Sequence, residues 1–253
     1  TWDRPQVHIT GSLGEGVEKL EISPGGDSLA IEVEYPRNDG GWFGGSESEP
    51  SRIEVRMPAG ASLMVDVVSA SVDVEGLAGA RLGVDSVSGE VQVRASKAAE
   101  ARFDLVSGDL DAELDSAEIS VDTVSGDVRL NVKGGGELGV DTVSGDARLR
   151  LDRVRRVVMD SVSGNLELQT ALAPSGRISA DTVSGGVDLS LPADSSARLS
   201  VETFSGSISS PVGTVRKEKY GPGATLEARM GGGDGDVKLV TFSGGVRVHF
   251  DDK

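Results

Sequence analysis

Apolar and polar residues alternate in short segments along most of this chain. Residues 138–142 and 147–151 alternate in this way on either side of the turn Ser144-Gly145-Asp146. Alternation with a period of two indicates β-strands, and the segments are too short and too rich in Val and Thr for helices. Each unit of the pattern therefore predicts two short strands and two turns.

The unit is marked by the motif Val-Asp-Thr-Val-Ser-Gly-Asp, best preserved at residues 121–127. Copies of its serine lie 18 to 21 residues apart as far as Ser205, and Ser243 follows 38 residues later. These serines are Ser69, Ser88, Ser107, Ser125, Ser144, Ser163, Ser184, Ser205 and Ser243. A period near 20 residues is typical of solenoids. The sequence predicts an all-β, single-stranded parallel β-solenoid (β-helix) with coils of about 19 residues, one of which, after Ser205, lacks the Ser-Gly signature.

Residues near both ends depart from the repeat. Residues 17–23 and 29–35 alternate around Pro24-Gly25-Gly26-Asp27, which predicts a hairpin. An open terminal coil would expose a sheet edge, so irregular β segments are expected to cap both ends. The predicted organisation is an N-terminal β cap with lead-in strands (1–60), solenoid repeats (61–206), and final coils with a C-terminal cap (207–253).

Stacking the coils in register turns each motif position into a column. Two aliphatic columns, which begin at Leu63 and Val65, are predicted to form the core. The glycine of Ser-Gly is expected to adopt positive φ at a tight corner. We expect that corner to turn the Val or Phe before each serine inward; facing outward, this column would instead be a partner-binding surface.

An acidic column is predicted on the solvent side. Its members are Asp66, Asp85, Asp104, Asp122, Asp141, Asp160, Asp181 and Glu202. Like charges about 4.8 Å apart repel by roughly 1 kcal/mol per neighbour in water. A second acidic position follows the glycine, at Glu90, Asp109, Asp127 and Asp146. Turn capping and solvated charge explain both columns best; weak calcium binding stays open, but neither a cofactor nor a specific metal site is predicted.

Composition narrows the classes of function. A net charge of −16 disfavours nucleic acids, and no apolar run is long enough for a membrane span. The repeated serines have no catalytic histidine beside them, since His8 and His249 stand at opposite ends of the chain. The charged cluster at residues 152–156 is interpreted as solvated loop charge. The chain opens without Met or a signal-like segment, so we expect a mature form whose leader, if any, is not part of this sequence.

The repeats, with the lead-ins Met57-Pro58-Ala59-Gly60 and Leu191-Pro192-Ala193, resemble a bacterial β-strand-repeat "adhesin" family of unknown function, over about residues 5–250. The resemblance implies a β-solenoid fold and an exported bacterial protein, periplasmic or on the cell surface, and it offers no catalytic residues.

The sequence therefore favours a non-catalytic envelope protein for adhesion, scaffolding or self-association, with a protein or cell-surface partner. The alternatives are a carbohydrate-active β-helix enzyme and a cation-responsive module that uses the acidic columns. Trp42 and Phe43, flanked by glycines in a long loop, are the candidate partner contacts.

Overall fold

A computed structural model describes residues 1–34, 49–219 and 221–251. Among these residues there is no helix, and the strands are β1 (His8–Ser12), β2 (Lys19–Gly25), β3 (Ser28–Glu34), β4 (Arg52–Arg56), β5 (Leu63–Ser69), β6 (Val72–Glu75), β7 (Ala78–Ser88), β8 (Val91–Ser107), β9 (Leu110–Ser125), β10 (Val128–Ser144), β11 (Ala147–Ser163), β12 (Leu166–Ser184), β13 (Val187–Pro192), β14 (Ala197–Ser205), β15 (Ile208–Ser209), β16 (Arg216–Lys217), β17 (Ala224–Met230), β18 (Gly235–Ser243) and β19 (Val246–Asp251). The chain divides into two compact units, Thr1–Pro58 and Ala59–Lys253.

The first unit holds two small antiparallel sheets. Strand β1 pairs with β4, and β2 pairs with β3. The predicted hairpin is confirmed: Gly25 pairs with Ser28, so Gly26 and Asp27 form a two-residue turn, and Gly26 has a φ of 60°. Glycine at such a position avoids the strain that a Cβ would bring.

The second unit is the predicted parallel β-solenoid, with a spacing of about 19 residues. Its strands are longer than the sequence suggested, because one strand of 16 to 19 residues runs through most coils. A register shift inside each of these strands marks the second corner of the coil, as between Val132 and Gly135. The 21-residue interval between Ser163 and Ser184 is longer than the usual 19. Its residues 173–176 lie at such a shift, since Leu172 pairs with Val154 and Arg177 with Arg156.

The predicted core columns are confirmed. Leu63 pairs in register with Leu82, and Val84 with Phe103. From the second coil onward these side chains are almost fully buried, and Phe103 is 0% exposed. The predicted glycine corner is also confirmed, with positive φ in six consecutive copies: Gly89, Gly108, Gly126, Gly145, Gly164 and Gly185.

The order of the coils at the C-terminal end differs from the prediction. Strand β18 pairs with β12 on one side and with β14 on the other, both in parallel. Ser243 therefore lies between Ser184 and Ser205, and no coil without the signature separates Ser205 from Ser243. The residues between them include β15, β16 and β17 instead, and β17 pairs antiparallel with β14. The last strands are thus inserted into the stack, whereas the sequence suggested that they follow its end.

Candidate functional site

A continuous apolar column lies on the outer face of the solenoid, one residue before each motif serine. In spatial order its members are Val68, Val87, Val106, Val124, Val143, Val162, Val183, Phe242 and Phe204. Their exposed fractions run from 46% to 73%. We call this column the apolar stripe. At about 4.8 Å per coil, its eight steps span roughly 38 Å.

The expectation that this column turns inward is wrong. Thr123 is buried and Val124 is half exposed, so the alternation of the strand continues up to the residue before Ser125. The chain turns only at Gly126, where φ is 137°. The corner therefore comes too late to bring the valine inside.

The acidic column runs beside the apolar stripe on the same outer face, two residues earlier in each strand. Asp122 pairs in register with Asp104 and Asp141, and Asp160 with Asp181. The predicted solvent-facing position is correct, although four of the eight members are only half exposed: Asp85, Asp104, Asp122 and Asp181. Between Asp181 and Glu202 the inserted strand β18 contributes Val240, which interrupts the column.

Few cations balance the acidic column. Arg102 donates hydrogen bonds to Asp104 over 2.6 and 2.9 Å, and reaches Asp122 at 3.4 Å. It is the only basic residue that forms an ion pair with the column within residues 1–34, 49–219 and 221–251. Ser179 adds a hydrogen bond of 3.3 Å to Asp181. The rest of the column keeps its mutual repulsion.

This repulsion shows in the pKa values of the carboxyl groups. Burial, together with Asp66 and Asp104, raises the pKa of Asp85 to about 6. Burial and the neighbouring acids likewise raise the pKa of Asp122 and of Asp160. The hydrogen bonds from Arg102 hold the pKa of Asp104 below its usual range.

Between these two columns, most strands carry a Ser or Thr whose hydroxyl group is buried on the inner face. Thr203 and Thr241 donate hydrogen bonds of 3.3 and 3.4 Å to glycine carbonyl oxygens of the adjacent coil. Five equivalent hydroxyls find no hydrogen-bond partner among the residues that the structure describes: Ser86, Thr123, Thr142, Ser161 and Thr182. Together the three columns line a groove of about 1200 Å³.

The second acidic position caps the turns, as the sequence suggested. The Asp109 carboxylate accepts a hydrogen bond from the Asp127 amide over 2.9 Å, and Asp127 accepts one from the Asp146 amide over 3.1 Å. Asp146 and Asn165 continue the same ladder toward the C-terminal coils. These side chains are engaged in backbone hydrogen bonds, which makes them structural.

Of the other residues singled out by sequence, only the 152–156 cluster can be placed, and it does not line the groove. Trp42 and Phe43 fall outside the described residues. The 152–156 cluster belongs to strand β11, with Val154 buried and its four charged residues exposed. Within the described ranges no group of three or more acidic or histidine side chains could hold a metal ion, and no helix has the length and hydropathy needed to cross a membrane.

Comparison with known proteins agrees with this architecture. The model of the Toastrack DUF4097 family matches residues 3–173. The chain belongs to the Toastrack DUF4097 family. The function of this domain is not assigned, and the name "adhesin" that the sequence suggested stays a prediction. No curated protein and no solved structure matched the chain.

Proposed function

We propose that this Toastrack protein is a non-catalytic scaffold of the bacterial cell envelope that acts by holding another protein along its groove. The observation that carries the proposal is the apolar stripe. Soluble monomers rarely expose long contiguous apolar surfaces, and such surfaces usually mark interaction sites. Here the exposed column continues without a polar interruption from Val68 to Phe204.

The regularity of the stripe supports this interpretation. A solenoid core needs small aliphatic side chains on the inside, but nothing in its packing requires valine at a half-exposed outer position. A Thr or Ser there would fit the same strand geometry without exposing apolar surface. The apolar stripe is therefore explained by a surface that is covered when the protein works.

The test compares the protein with the triple variant Val124→Ser/Val143→Ser/Val162→Ser. Light scattering over a range of concentrations, with and without calcium, measures self-association, and retention on isolated bacterial envelopes measures binding to other components. We expect the wild-type protein to associate in at least one assay and the variant to lose most of that association. A matched control changes three exposed apolar residues of the first unit to Ser: Val7, Leu13 and Val55.

Two results would contradict the proposal. One is a wild-type protein that is strictly monomeric and is not retained on envelopes. The other is a variant that associates as strongly as the wild type. Mass growth that depends on calcium but not on the valines would favour the cation-responsive alternative.

A further inference from the structure

The groove combines two chemically different walls at one repeat distance. The apolar stripe forms one wall, and the acidic column forms the other, two residues earlier in each strand. Two residues along a strand correspond to about 6.6 Å. A ligand that fills the groove must therefore present a cationic edge directly beside an apolar edge.

The charge of the acidic column decides between a second copy of this chain and a cationic partner. Two copies could bring their apolar stripes together about a two-fold axis parallel to the solenoid axis, and each acidic column would then face the region beyond the motif serines of the other copy. A two-fold axis perpendicular to the solenoid axis would place the two acidic columns against each other. Neither arrangement supplies cations, whereas the acidic column has Arg102 as its only ion-pair partner in the described ranges. A basic partner is complementary to it.

The groove also limits the backbone conformation of its ligand. Its walls are side chains that point outward from strands paired on both sides from β7 to β14. Along these strands it therefore offers no free strand edge with which an extended peptide could pair. An α-helix satisfies its own backbone hydrogen bonds, and its rise of 5.4 Å per turn is closer to the coil spacing of about 4.8 Å than the side-chain repeat of a strand, about 6.6 Å.

We propose that the groove binds a basic amphipathic α-helix of another protein, with its apolar face on the apolar stripe and its Lys or Arg residues along the acidic column. This inference rests on the proposed docking function of the groove. About 25 residues of helix cover the roughly 38 Å of the stripe. Relief of the repulsion between the carboxylates, some of which have raised pKa values, adds to the binding.

The groove also assigns an orientation to that helix. At the C-terminal end Phe242 and Phe204 replace valine, and Val240 replaces an acid. The helix is therefore expected to carry its bulkiest apolar residues at the end that lies on these two rings, with no cation opposite Val240 and a cation again opposite Glu202. Aromatic side chains, Phe included, are enriched at protein interfaces, so these two rings favour contact with the partner.

The experiment uses a synthetic 25-residue helix-forming peptide with a leucine face and lysines along one border of it, and a scrambled peptide of the same composition. Binding is measured by fluorescence anisotropy. Far-ultraviolet circular dichroism at 222 nm reports helix formation by the peptide, since the described part of the protein has no helix of its own. We expect the patterned peptide to bind and gain helicity, and the scrambled peptide to bind at least tenfold more weakly.

Two sets of variants locate the binding. Asp122→Asn/Asp141→Asn/Asp160→Asn should weaken it at least tenfold and reduce its dependence on salt. The matched control, Asp111→Asn/Glu113→Gln/Glu167→Gln, removes the same charge from exposed positions outside the groove and should change affinity less than twofold.

Equal binding of the two peptides, no gain of helicity, or equal effects of the two variant sets would overturn the inference. The outcome for the proposed function is read separately. If Val124→Ser/Val143→Ser/Val162→Ser abolishes association in light scattering or on envelopes while the peptide does not bind, the groove takes a different occupant, such as a second copy, and only the helix proposal fails. If the valine variant changes nothing in any assay, both proposals fail.

Discussion

Phe204 and Phe242 stack face to face, with ring centroids 4.8 Å apart and ring planes 5° from parallel. The two rings sit on β14 and β18, which are neighbours in the sheet although β15, β16 and β17 lie between them in the chain. Each ring is still more than half exposed. The contact therefore joins the inserted strand to its neighbour on the outer surface.

This pair predicts a measurable coupling. Phe204→Val and Phe242→Val each restore the residue type found in the rest of the apolar stripe, and each removes the stacking. Aromatic pairs contribute about 0.5–1.5 kcal/mol beyond their buried area, so the two changes should be non-additive by about that amount. Chemical denaturation of the wild type, both single variants and the double variant gives the coupling energy. Additive effects would show that the stack does not stabilise the fold.

The glycine corners predict that the free energy of unfolding depends strongly on the close approach of neighbouring coils. A Cβ on Gly145 would lie 2.1 Å from the carbonyl oxygen of Gly126, at a φ of 126°. Gly145→Ala should lower the free energy of unfolding by about 2 kcal/mol or more, through both the clash and the backbone strain. In Gly139→Ala, the matched control in strand β10, which ends just before Gly145, the Cβ would meet no atom within 4 Å, so the change should be about 0.5 kcal/mol or less. Thermal and urea unfolding distinguish the two.

The capping ladder predicts rescue by asparagine. The Asp127 side chain accepts the hydrogen bond of the Asp146 amide, and Asn165 plays the same part for the Gly186 amide. Asp127→Ala leaves a half-buried amide without its partner and should cost about 1 kcal/mol or more. Asp127→Asn keeps the acceptor oxygen and should recover most of that loss in urea unfolding. If Asn is as harmful as Ala, the charge matters and not the hydrogen bond.

The raised pKa of Asp85 in the acidic column predicts that the contribution of this residue to stability falls as pH rises. Asp85 has a pKa of about 6 in the folded protein, above the ordinary value of an unfolded aspartate near 3.9. The folded state therefore holds the proton more tightly, so the contribution of Asp85 is present below about pH 4 and is lost as pH rises through about 6. Asp85→Asn should raise the melting temperature relative to wild type at pH 8 and leave it nearly unchanged at pH 3.5.

Asp146 provides the opposite case for the same experiment. Its hydrogen bonds from Asn165 lower its pKa, so its stabilising contribution is present at neutral pH and is lost on acidification. Asp146→Ala should therefore be more destabilising at pH 7 than at pH 3. A pH dependence of the same sign for Asp85→Asn and Asp146→Ala would contradict the assignment.

Most of the fold follows from spacing alone. A motif that returns about every 19 residues places Ser125 beside Ser107 and Ser144, because only one register keeps every aliphatic column inside. The glycine corners and the capping position follow from residue type. The groove could also have been found, since strict alternation from buried Thr123 predicts that Val124 faces outward. The assumption of an earlier corner concealed it.

The insertion of β18 could not be read from the sequence. The interval between Ser205 and Ser243 equals two periods, so the sequence fits a regular stack as well as an inserted strand. The two arrangements differ in which strand edges pair across a long separation in sequence, and the local sequence pattern contains no signal for such pairing. Nor does the sequence reveal that Val240 interrupts the acidic column. The column to which Val240 belongs is known only once β18 is known to lie between β12 and β14.

The inserted strand also imposes an order on folding during synthesis. The strands from β5 to β13 pair with strands of the preceding or the following coil in the chain. Their coils can therefore stack one after another as they leave the ribosome. Strand β14 emerges next, but its parallel neighbour β18 is made only near the end of the chain. Until then both β12 and β14 hold open edges, and closing them requires contacts of long sequence separation, which form slowly. The completion of β18 and β19 is therefore the step at which the second unit passes from an aggregation-prone intermediate to a complete solenoid.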